Sequence, residues 1–262
     1  MTRVLSALLL IPLVLGVVWF LPPAGTLALA VVASILAVLE YARLAAGLGI
    51  ELPRALTMVM AVAGCVAVGQ ASVPPEIVVL GAVVLIGSTV TFSSVPGPSA
   101  LPRAAAAMFA PAYIGFPLGA IAAIRTIGGR EALLLLMATI VISDSAQYYT
   151  GRAFGRSPLA PSISPKKTRE GAIGGVVFGT LAMVIGARLV FPATPWLLVT
   201  IAGLAVVVLG IAGDLFESLL KRSAGVKDSS GLIPGHGGIL DRIDSWLFAG
   251  PAYYVFVRYL QA

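Results

Sequence analysis

Long apolar runs, separated by short polar connectors, set the pattern of this chain. About nine of the runs approach or exceed the ~20 residues that an α-helix needs to cross a bilayer. They are Val4–Leu21, Gly25–Leu48, Leu56–Ala71, Ile77–Phe92, Ala104–Ile124, Ala132–Tyr149, Ala172–Phe191, Pro195–Leu220 and Ile243–Leu260. The pattern predicts an all-α, polytopic integral membrane protein with about nine transmembrane helices.

The composition supports a membrane location. Of the 262 residues, 59% are hydrophobic and 11% are charged, and the mean hydropathy is +1.02. A water-soluble globule of this size needs more polar surface than this chain can supply. The first run is long and no small-residue cleavage site closes it, so we expect an uncleaved anchor. The single cysteine, Cys65, lies in an apolar run and excludes a disulfide framework within the chain.

The net charge of +6 is distributed unevenly along the chain. With nine crossings, thirteen of the seventeen Lys and Arg residues fall on one side of the membrane; the other side has Arg125, Arg130, Arg188 and Arg258. By the positive-inside rule the rich side is cytoplasmic. This predicts a cytoplasmic amino terminus, a carboxyl terminus across the membrane and no nucleic-acid partner. We separately expect a bacterial cytoplasmic membrane, with the polar segments of the chain on its cytoplasmic face.

The two parts of the chain differ in chemistry. We expect residues 1–125 to be a transmembrane scaffold and residues 126–262 to be the catalytic region of one membrane domain. Small residues such as Gly115 and Gly119 would let helix backbones approach closely in the first part. Glu40 precedes Arg43 by three residues, which predicts a structural ion pair on one helix face.

The segment from Ser218 to Asp244 holds the densest group of polar residues. Lysines, arginines, aspartates, paired glycines and the only histidine lie there between two apolar runs. Carboxylates can hold a cation, basic side chains can neutralise phosphate oxygens, and glycine lets a phosphate approach the backbone. The composition of this segment indicates a site for a metal-bound polyphosphate.

Four carboxylates are predicted to meet at the cytoplasmic surface. Asp144 lies in an apolar run, where an ionised carboxylate costs roughly 2.5 to 3.5 kcal/mol, so we expect it to face protein or metal. Asp214 lies near the end of the eighth run, on one helix face with Lys221. Asp241 and Asp244 are one turn apart at the start of the last run, and the number of crossings brings all four to the same side.

A second basic segment runs from Ser164 to Glu170 and leads into Gly174 and Gly175. One interpretation is a polybasic loop that attracts anionic lipid. The other is a phosphate cradle at the amino terminus of a helix, built from lysines, a threonine hydroxyl and glycines. The residues alone favour neither.

These segments together resemble the phosphatidate cytidylyltransferases, also called CDP-diacylglycerol synthases. The signature of that family is matched in order by Ser218, Lys221-Arg222, Lys227-Asp228, His236-Gly237-Gly238 and Asp241-Arg242-Ile243-Asp244. The upstream Ser164-Pro165-Lys166-Lys167-Thr168 is similar to a second block of the family. Where relatives commonly have Asp-x-x-Ala-Tyr, this chain has Asp144-Ser145-Ala146-Gln147-Tyr148, and Gln147 could add a hydrogen bond at the site.

The resemblance implies a membrane enzyme, commonly a homodimer, that joins phosphatidic acid to CTP and releases pyrophosphate. Mg²⁺ is implied as the cofactor, with room for a second cation, and membrane lipids are implied as partners. A phosphatidate oxygen would attack the α-phosphorus of CTP between two polyanions, so the site must neutralise charge.

The matching positions also imply roles for single residues. The implied metal ligands are Asp214 and Asp241, followed by Asp144 and Asp244, and the implied catalytic residues are Asp214, Asp241, Asp144 and Lys221. The implied substrate-binding residues are Ser164, Lys166, Lys167, Thr168, Arg222, Lys227, Asp228, His236, Gly237, Gly238 and Arg242.

Three of these residues carry a more detailed expectation. Arg242 is expected to orient Asp241, and Asp228 either to hold the loop or to touch metal. His236 is expected to orient the loop or to contact phosphate, because phosphatidate needs little deprotonation near neutral pH and a general base is not required.

Two other classes of protein fit parts of the pattern. A CTP-dependent kinase of a polyprenol or phytol would share the nucleotide site, but it would need a base to activate a hydroxyl and would release CDP. An anion transporter would also place charges and glycines in membrane helices, although near the midplane. The products distinguish the three: a liponucleotide with pyrophosphate, CDP, or no covalent product.

Overall fold

The computed structural model describes residues 2–70 and 73–260, with side chains from residue 8 onward, apart from the gap. In this part of the chain, ten α-helices, one π-helical turn and two short strands follow one another. The helices are α1 Thr2–Phe20, α2 Pro23–Gly47, α3 Arg54–Gln70, α4 Pro75–Ser93, α5 Ala100–Ala110, α6 Phe116–Ile127, α7 Gly129–Phe154, α8 Arg169–Val190, α9 Trp196–Ser223 and α10 Leu240–Tyr259. The π-helical turn is Pro111–Gly115, and the strands are β1 Pro158–Ala160 and β2 Ser164–Thr168.

The all-α prediction is confirmed and the structure is consistent with a polytopic membrane protein, but nine membrane-spanning helices are not confirmed. Six helical segments of the described residues are long and apolar enough to cross a bilayer: Pro23–Gly47, Pro75–Ser93, Ala100–Ile127, Gly129–Phe154, Arg169–Val190 and Trp196–Ser223. Leu8–Phe20 and Arg54–Gln70 are apolar but shorter. The last predicted run corresponds to α10, which does not meet the same criterion. The predicted placement of the termini rested on nine crossings and stays a prediction.

The chain forms two compact units. The first contains residues 1–126 and 220–243. Within it, the segment around the π-helical turn packs closely against α3, because a Cβ at Gly115 or Gly119 would overlap the carbonyl oxygen of Ala61 or Cys65. The prediction that these glycines let helix backbones approach closely is thus confirmed.

The second unit contains residues 127–219 and 244–262. Helix α8 turns a row of glycines towards α7. A Cβ at Gly174 would overlap the side chain of Thr150, and one at Gly175 would overlap that of Gln147. Both glycines are buried in this helix contact, so close packing accounts for them and the phosphate-cradle interpretation loses two of its members.

The basic segment before α8 is a small antiparallel hairpin of β1 and β2. Helix α8 begins directly after β2, and the Thr168 hydroxyl caps it by accepting a hydrogen bond from the Gly171 N–H at 3.1 Å. A threonine at this position satisfies one of the amide groups that a helix leaves unpaired at its start. The cap marks the point at which β2 ends and α8 begins.

Candidate functional site

In the second unit, a lysine from the hairpin reaches an aspartate on α9. Lys167 forms an ion pair with Asp214, and the two side chains are 23% and 29% exposed. Lys166, its neighbour in β2, is exposed, since successive side chains of a strand point to opposite faces. One lysine of the predicted pair is thus held by a carboxylate and the other lies at the surface.

Asp144 on α7 belongs to the same acidic group. It interacts electrostatically with both Asp214 and Lys167, and Gln147 donates a hydrogen bond from Nε2 to its Oδ1 at 3.0 Å. The structure therefore confirms that Gln147 adds a hydrogen bond here. We call Asp144 and Asp214 the acidic pair. Their two negative charges exceed the single positive charge of Lys167, so the group of three has a net negative charge.

Asp244 begins the part of α10 that belongs to the second unit. Its Oδ1 accepts a hydrogen bond from the Ser245 N–H at 2.7 Å. Its backbone carbonyl lies against Gly213, where a Cβ would come within 2.5 Å of the oxygen. The missing side chain at Gly213 thus brings the backbones of α9 and α10 together one residue before Asp214.

In the first unit, Asp241 is almost completely enclosed by hydrogen-bond donors. Lys221 Nζ donates to Oδ1 at 2.5 Å, and the two side chains are 11% and 5% exposed. Oδ2 accepts from the Ser229 N–H at 2.9 Å, the Gly238 N–H at 2.8 Å and the Ser229 hydroxyl at 2.8 Å. These three bonds occupy Oδ2, so any further ligand would have to approach Oδ1.

The surroundings of Asp241 keep it ionised. Burial raises its pKa, but the hydrogen bonds from Lys221, Gly238 and Ser229 together outweigh burial, and the pKa is lowered below the ordinary aspartate value. Asp241 therefore stays negatively charged at neutral pH and complements the ammonium of Lys221.

The glycines of the His-Gly-Gly signature shape the loop around Asp241. Gly237 has φ +79°, a left-handed conformation that favours glycine, and a Cβ there would come within 2.5 Å of Asp241 Oδ2. A Cβ at Gly238 would overlap both the Ser229 hydroxyl and the Glu40 carboxylate. Both positions need glycine for the packing of the loop itself.

The other basic residues of the signature lie at the surface of the first unit. Arg222 is exposed and donates to the Val226 carbonyl at 3.1 Å. Arg242 Nε donates to the His236 carbonyl at 3.1 Å, so its described hydrogen bond holds the loop, and the expectation that it orients Asp241 is wrong. Lys227 and Asp228 are exposed.

Comparison with known proteins places this arrangement in a family. The model described as "Cytidylyltransferase family" matches residues 1–260. The chain belongs to the cytidylyltransferase family. Within this family its relatives include the uncharacterized protein YnbB of Escherichia coli, at 44% identity over 50% of this chain and 44% of that protein.

Two further cytidylyltransferase relatives have names that state an activity. The phosphatidate cytidylyltransferase 5 of Arabidopsis chloroplasts is 48% identical over 50% of this chain and 32% of its own length. The phosphatidate cytidylyltransferase of Bacillus subtilis is 40% identical over 54% of each chain. The chain thus spans about half the length, or less, of the curated relatives it matches.

The structure brings several of the predicted residues together, in two groups. Asp144, Lys167 and Asp214 form one group in the second unit. Lys221 and Asp241 form the other in the first unit, next to the loop that carries Gly238. Ser164 pairs with Ala160 at the start of β2, and Thr168 is used as a helix cap.

Sequence reasoning missed the role of Glu40 on α2. This residue binds the loop of residues 224–239 between α9 and α10, which we call the signature loop. Its carboxylate accepts hydrogen bonds from Ser229, Ser230 and the amide groups at the start of α10. In the described part of the chain it forms no ion pair with Arg43. The predicted Glu40 to Arg43 pair is therefore wrong. A signal was present, since a lone acid in an apolar run needs a buried partner, but the partners lie about 190 residues further along the chain.

Proposed function

We propose that this protein transfers a cytidylyl group from CTP to phosphatidic acid and forms CDP-diacylglycerol and pyrophosphate. An oxygen of the phosphatidate phosphate attacks the α-phosphorus of CTP and forms a new P–O bond. The bond between the α-phosphorus and the bridging oxygen to the β-phosphate breaks, and pyrophosphate leaves with that electron pair. Family membership and the relatives' names support this class of reaction.

The observation that carries the proposal is a pair of lysines, each held by an aspartate next to a basic segment. Lys167 is bound by Asp214, and Lys221 by Asp241. An ammonium has three protons, so each lysine can keep its carboxylate partner and still donate to a phosphate oxygen. Lysines held in this way are preorganised for phosphate, since their long side chains have already lost most of their freedom.

Charge neutralisation is the main demand of this reaction, because two polyanions must meet. We assign Lys167, in the second unit, and Lys221, in the first, each to a phosphate oxygen of the substrates. Exposed Lys166, Arg222 and Lys227 are assigned to attract the triphosphate and the lipid phosphate. A general base is not assigned, since the second pKa of a phosphate monoester is about 6 and its oxygen is ionised at neutral pH.

A divalent cation fits the acidic pair by its chemistry. Mg²⁺ is commonly bound through one or two carboxylates together with substrate phosphates, rather than by an all-protein cage. Asp144 and Asp214 supply two carboxylates, and the described residues contain no group of three or more acids, histidines or cysteines that would enclose an ion. Asp144 and Asp214 would hold Mg²⁺, which would neutralise phosphate charge; a role for Asp241 or Asp244 as further ligands stays a prediction.

The remaining expectations concern location and assembly. The apolar helices fit an integral membrane protein, and a site at the cytoplasmic face of a bacterial membrane would have access to CTP. Labelling of single cysteines placed in the hairpin and in the signature loop, in intact cells and in inverted vesicles, tests this orientation. The homodimer stays a prediction that cross-linking in native membranes would test.

CTP labelled at different phosphates distinguishes the proposed reaction from its nearest rival. Purified protein is incubated with Mg²⁺, phosphatidic acid and CTP labelled at either the α- or the γ-phosphate. Cytidylyl transfer moves only the α-label into lipid and releases the γ-label as pyrophosphate. A polyprenol or phytol kinase would move the γ-label into lipid and release CDP, with the prenol replacing phosphatidic acid as acceptor. Failure to label lipid from α-labelled CTP would refute the proposal.

Two matched variants link the activity to the acidic pair. Asp214→Asn keeps the shape of the side chain but removes its charge, and we expect the rate to fall about a hundredfold or more. Glu76→Gln makes the same chemical change at an exposed acid in the first turn of α4 and should leave the rate unchanged. Diacylglycerol in place of phosphatidic acid controls for the need for a lipid phosphate.

A further inference from the structure

Glu40 is a deeply buried acid that the reaction above does not use. It lies on α2 and is 2% exposed. Oε1 accepts from the Ser230 hydroxyl at 2.7 Å and the Ile239 N–H at 3.0 Å. Oε2 accepts from the Ser229 hydroxyl at 2.9 Å and the Leu240 N–H at 2.8 Å. A buried carboxylate is costly unless it is hydrogen-bonded, and Glu40 has four donor groups within reach, of which the Ser229 hydroxyl is shared with Asp241.

The donors of Glu40 belong to both ends of the signature loop. Ser229 and Ser230 lie near its beginning, while Ile239 and Leu240 lie where α10 starts. The first amide groups of a helix have no partner inside the helix, and a negative charge placed there is favourable. Glu40 therefore fastens the two ends of the loop together and caps α10 from a distant part of the sequence.

Ser229 connects Glu40 with Asp241. Its hydroxyl lies 2.9 Å from Glu40 Oε2 and 2.8 Å from Asp241 Oδ2. A hydroxyl has one proton and can donate to only one acceptor at a time, so the two carboxylates share a single donor. A displacement of one carboxylate changes what Ser229 can offer the other, and this couples the positions of Glu40 and Asp241.

We propose that Glu40 is a positioning residue that acts through Ser229 to hold Asp241 in the orientation in which it binds Lys221. The effect on turnover rests on the proposed function, because Lys221 is assigned there to phosphate charge. The hydrogen-bond chain itself does not depend on that function. A carboxylate that moved by about 1 Å would misplace the ammonium, and misplacements of this size can reduce a rate about a hundredfold.

The two neighbouring serines separate positioning from general support of the fold. Ser229→Ala and Ser230→Ala each remove one hydroxyl that donates to Glu40. Of the two hydroxyls, the one on Ser229 also lies within hydrogen-bond distance of Asp241 Oδ2. If Glu40 merely anchored the loop, the two variants would behave alike. Positioning predicts that Ser229→Ala lowers kcat at least tenfold with an unchanged KM for CTP, and that Ser230→Ala lowers kcat less than threefold.

Glu40→Gln tests the carboxylate itself. The amide has the same shape, but its NH2 group would face donors at one of the two oxygen positions. We expect kcat to fall about a hundredfold. In the Glu40→Gln background, Ser229→Ala should add less than a threefold loss, since residues that act through one chain of contacts are not additive. Full additivity of the two changes would overturn the proposal.

Amide hydrogen exchange gives a readout that needs no activity. In peptides covering residues 226–243 we expect exchange to rise tenfold or more in Ser229→Ala and less than threefold in Ser230→Ala. If the wild type makes no labelled lipid, the proposed function fails, and this exchange comparison still decides whether Ser229 couples the loop. If the wild type is active and the two serine variants have equal kcat, the positioning role fails by itself. If Glu40→Gln does not fold, the comparison of Ser229→Ala with Ser230→Ala still tests the positioning role.

Discussion

The pair formed by Lys221 and Asp241 offers the most direct test of how the signature loop is stabilised. Lys221→Met keeps the length and apolar stem of the side chain and removes the ammonium. Asp241, only 5% exposed, then loses the donor that lies 2.5 Å from its Oδ1. The Ser229 and Gly238 N–H groups still donate to the other oxygen, and the Ser229 hydroxyl, shared with Glu40, lies within reach of it, so the carboxylate keeps part of its stabilisation.

The magnitude follows from this geometry. Removing one partner of a buried ion pair typically costs about 3 to 5 kcal/mol, and the hydrogen bonds that remain on Asp241 place this cost near the lower value. A loss of about 3 kcal/mol corresponds to a Tm decrease of about 6 to 12 °C, using about 2 to 4 °C per kcal/mol for a chain of this size. To measure this decrease, the protein in detergent is heated to a series of temperatures, and the fraction that stays folded is determined by size-exclusion chromatography.

Two further proteins complete the Lys221 experiment. Lys166→Met makes the same substitution at an exposed lysine of β2, and its Tm should lie within about 2 °C of the wild type. In Lys221→Met with Asp241→Asn the stranded charge is gone, so this double variant should be more stable than Lys221→Met alone. If Lys221→Met and Lys166→Met have the same Tm, or if the double variant is the least stable, the reasoning is refuted.

Three further outcomes are expected. Gly115→Ala should lower Tm by several degrees, since its Cβ would overlap the Ala61 carbonyl, whereas Gly81→Ala, with no atom within 4 Å of the new Cβ, should leave Tm unchanged or slightly raised. Gly238→Ala should reduce kcat by displacing Ser229 and Glu40, while the KM for CTP stays close to wild type. The pKa of Asp241 is lowered, so its ionised carboxylate stabilises the fold above the ordinary aspartate pKa of about 3.9, and this stabilisation is lost as pH falls through the lowered pKa. The Tm difference between wild type and Asp241→Asn should therefore be constant from pH 8 to pH 5 and shrink only below about pH 4.

The helices could be predicted because a membrane helix depends on a local property, the length of an apolar run. Each of the nine runs corresponds to a helix or to α5, the π-helical turn and α6 together. The number of crossings could not be fixed in the same way. Helix α3 is apolar but short for a bilayer, and α10 carries charged residues in its first turn. Whether such helices cross depends on their neighbours, which a run of residues does not reveal.

The errors in the candidate site come from choosing partners by sequence distance. Arg43 lies one helical turn from Glu40, so a local pair was the natural expectation. Helix α2, however, buries Glu40 against the loop of residues 229–240. Arg242 and Asp241 are adjacent, and adjacent helical residues do not face each other. Arg242 consequently donates to the His236 carbonyl, which lies 6 residues earlier in the loop, and Asp241 binds Lys221 instead.

The glycines show why a motif and its cause can differ. Gly237 and Gly238 invite the interpretation that backbone is left open for phosphate, and Gly174 and Gly175 invite the same one. In the structure all four have a protein group where a Cβ would stand. For Gly237 and Gly238 these groups include the carboxylates of Asp241 and Glu40, which need backbone amides as donors when they are removed from water. Gly237 and Gly238 therefore lie where two buried acids approach the loop. If a substitution of either glycine lowers activity, displacement of Asp241 or Glu40 explains the loss more directly than a lost phosphate contact.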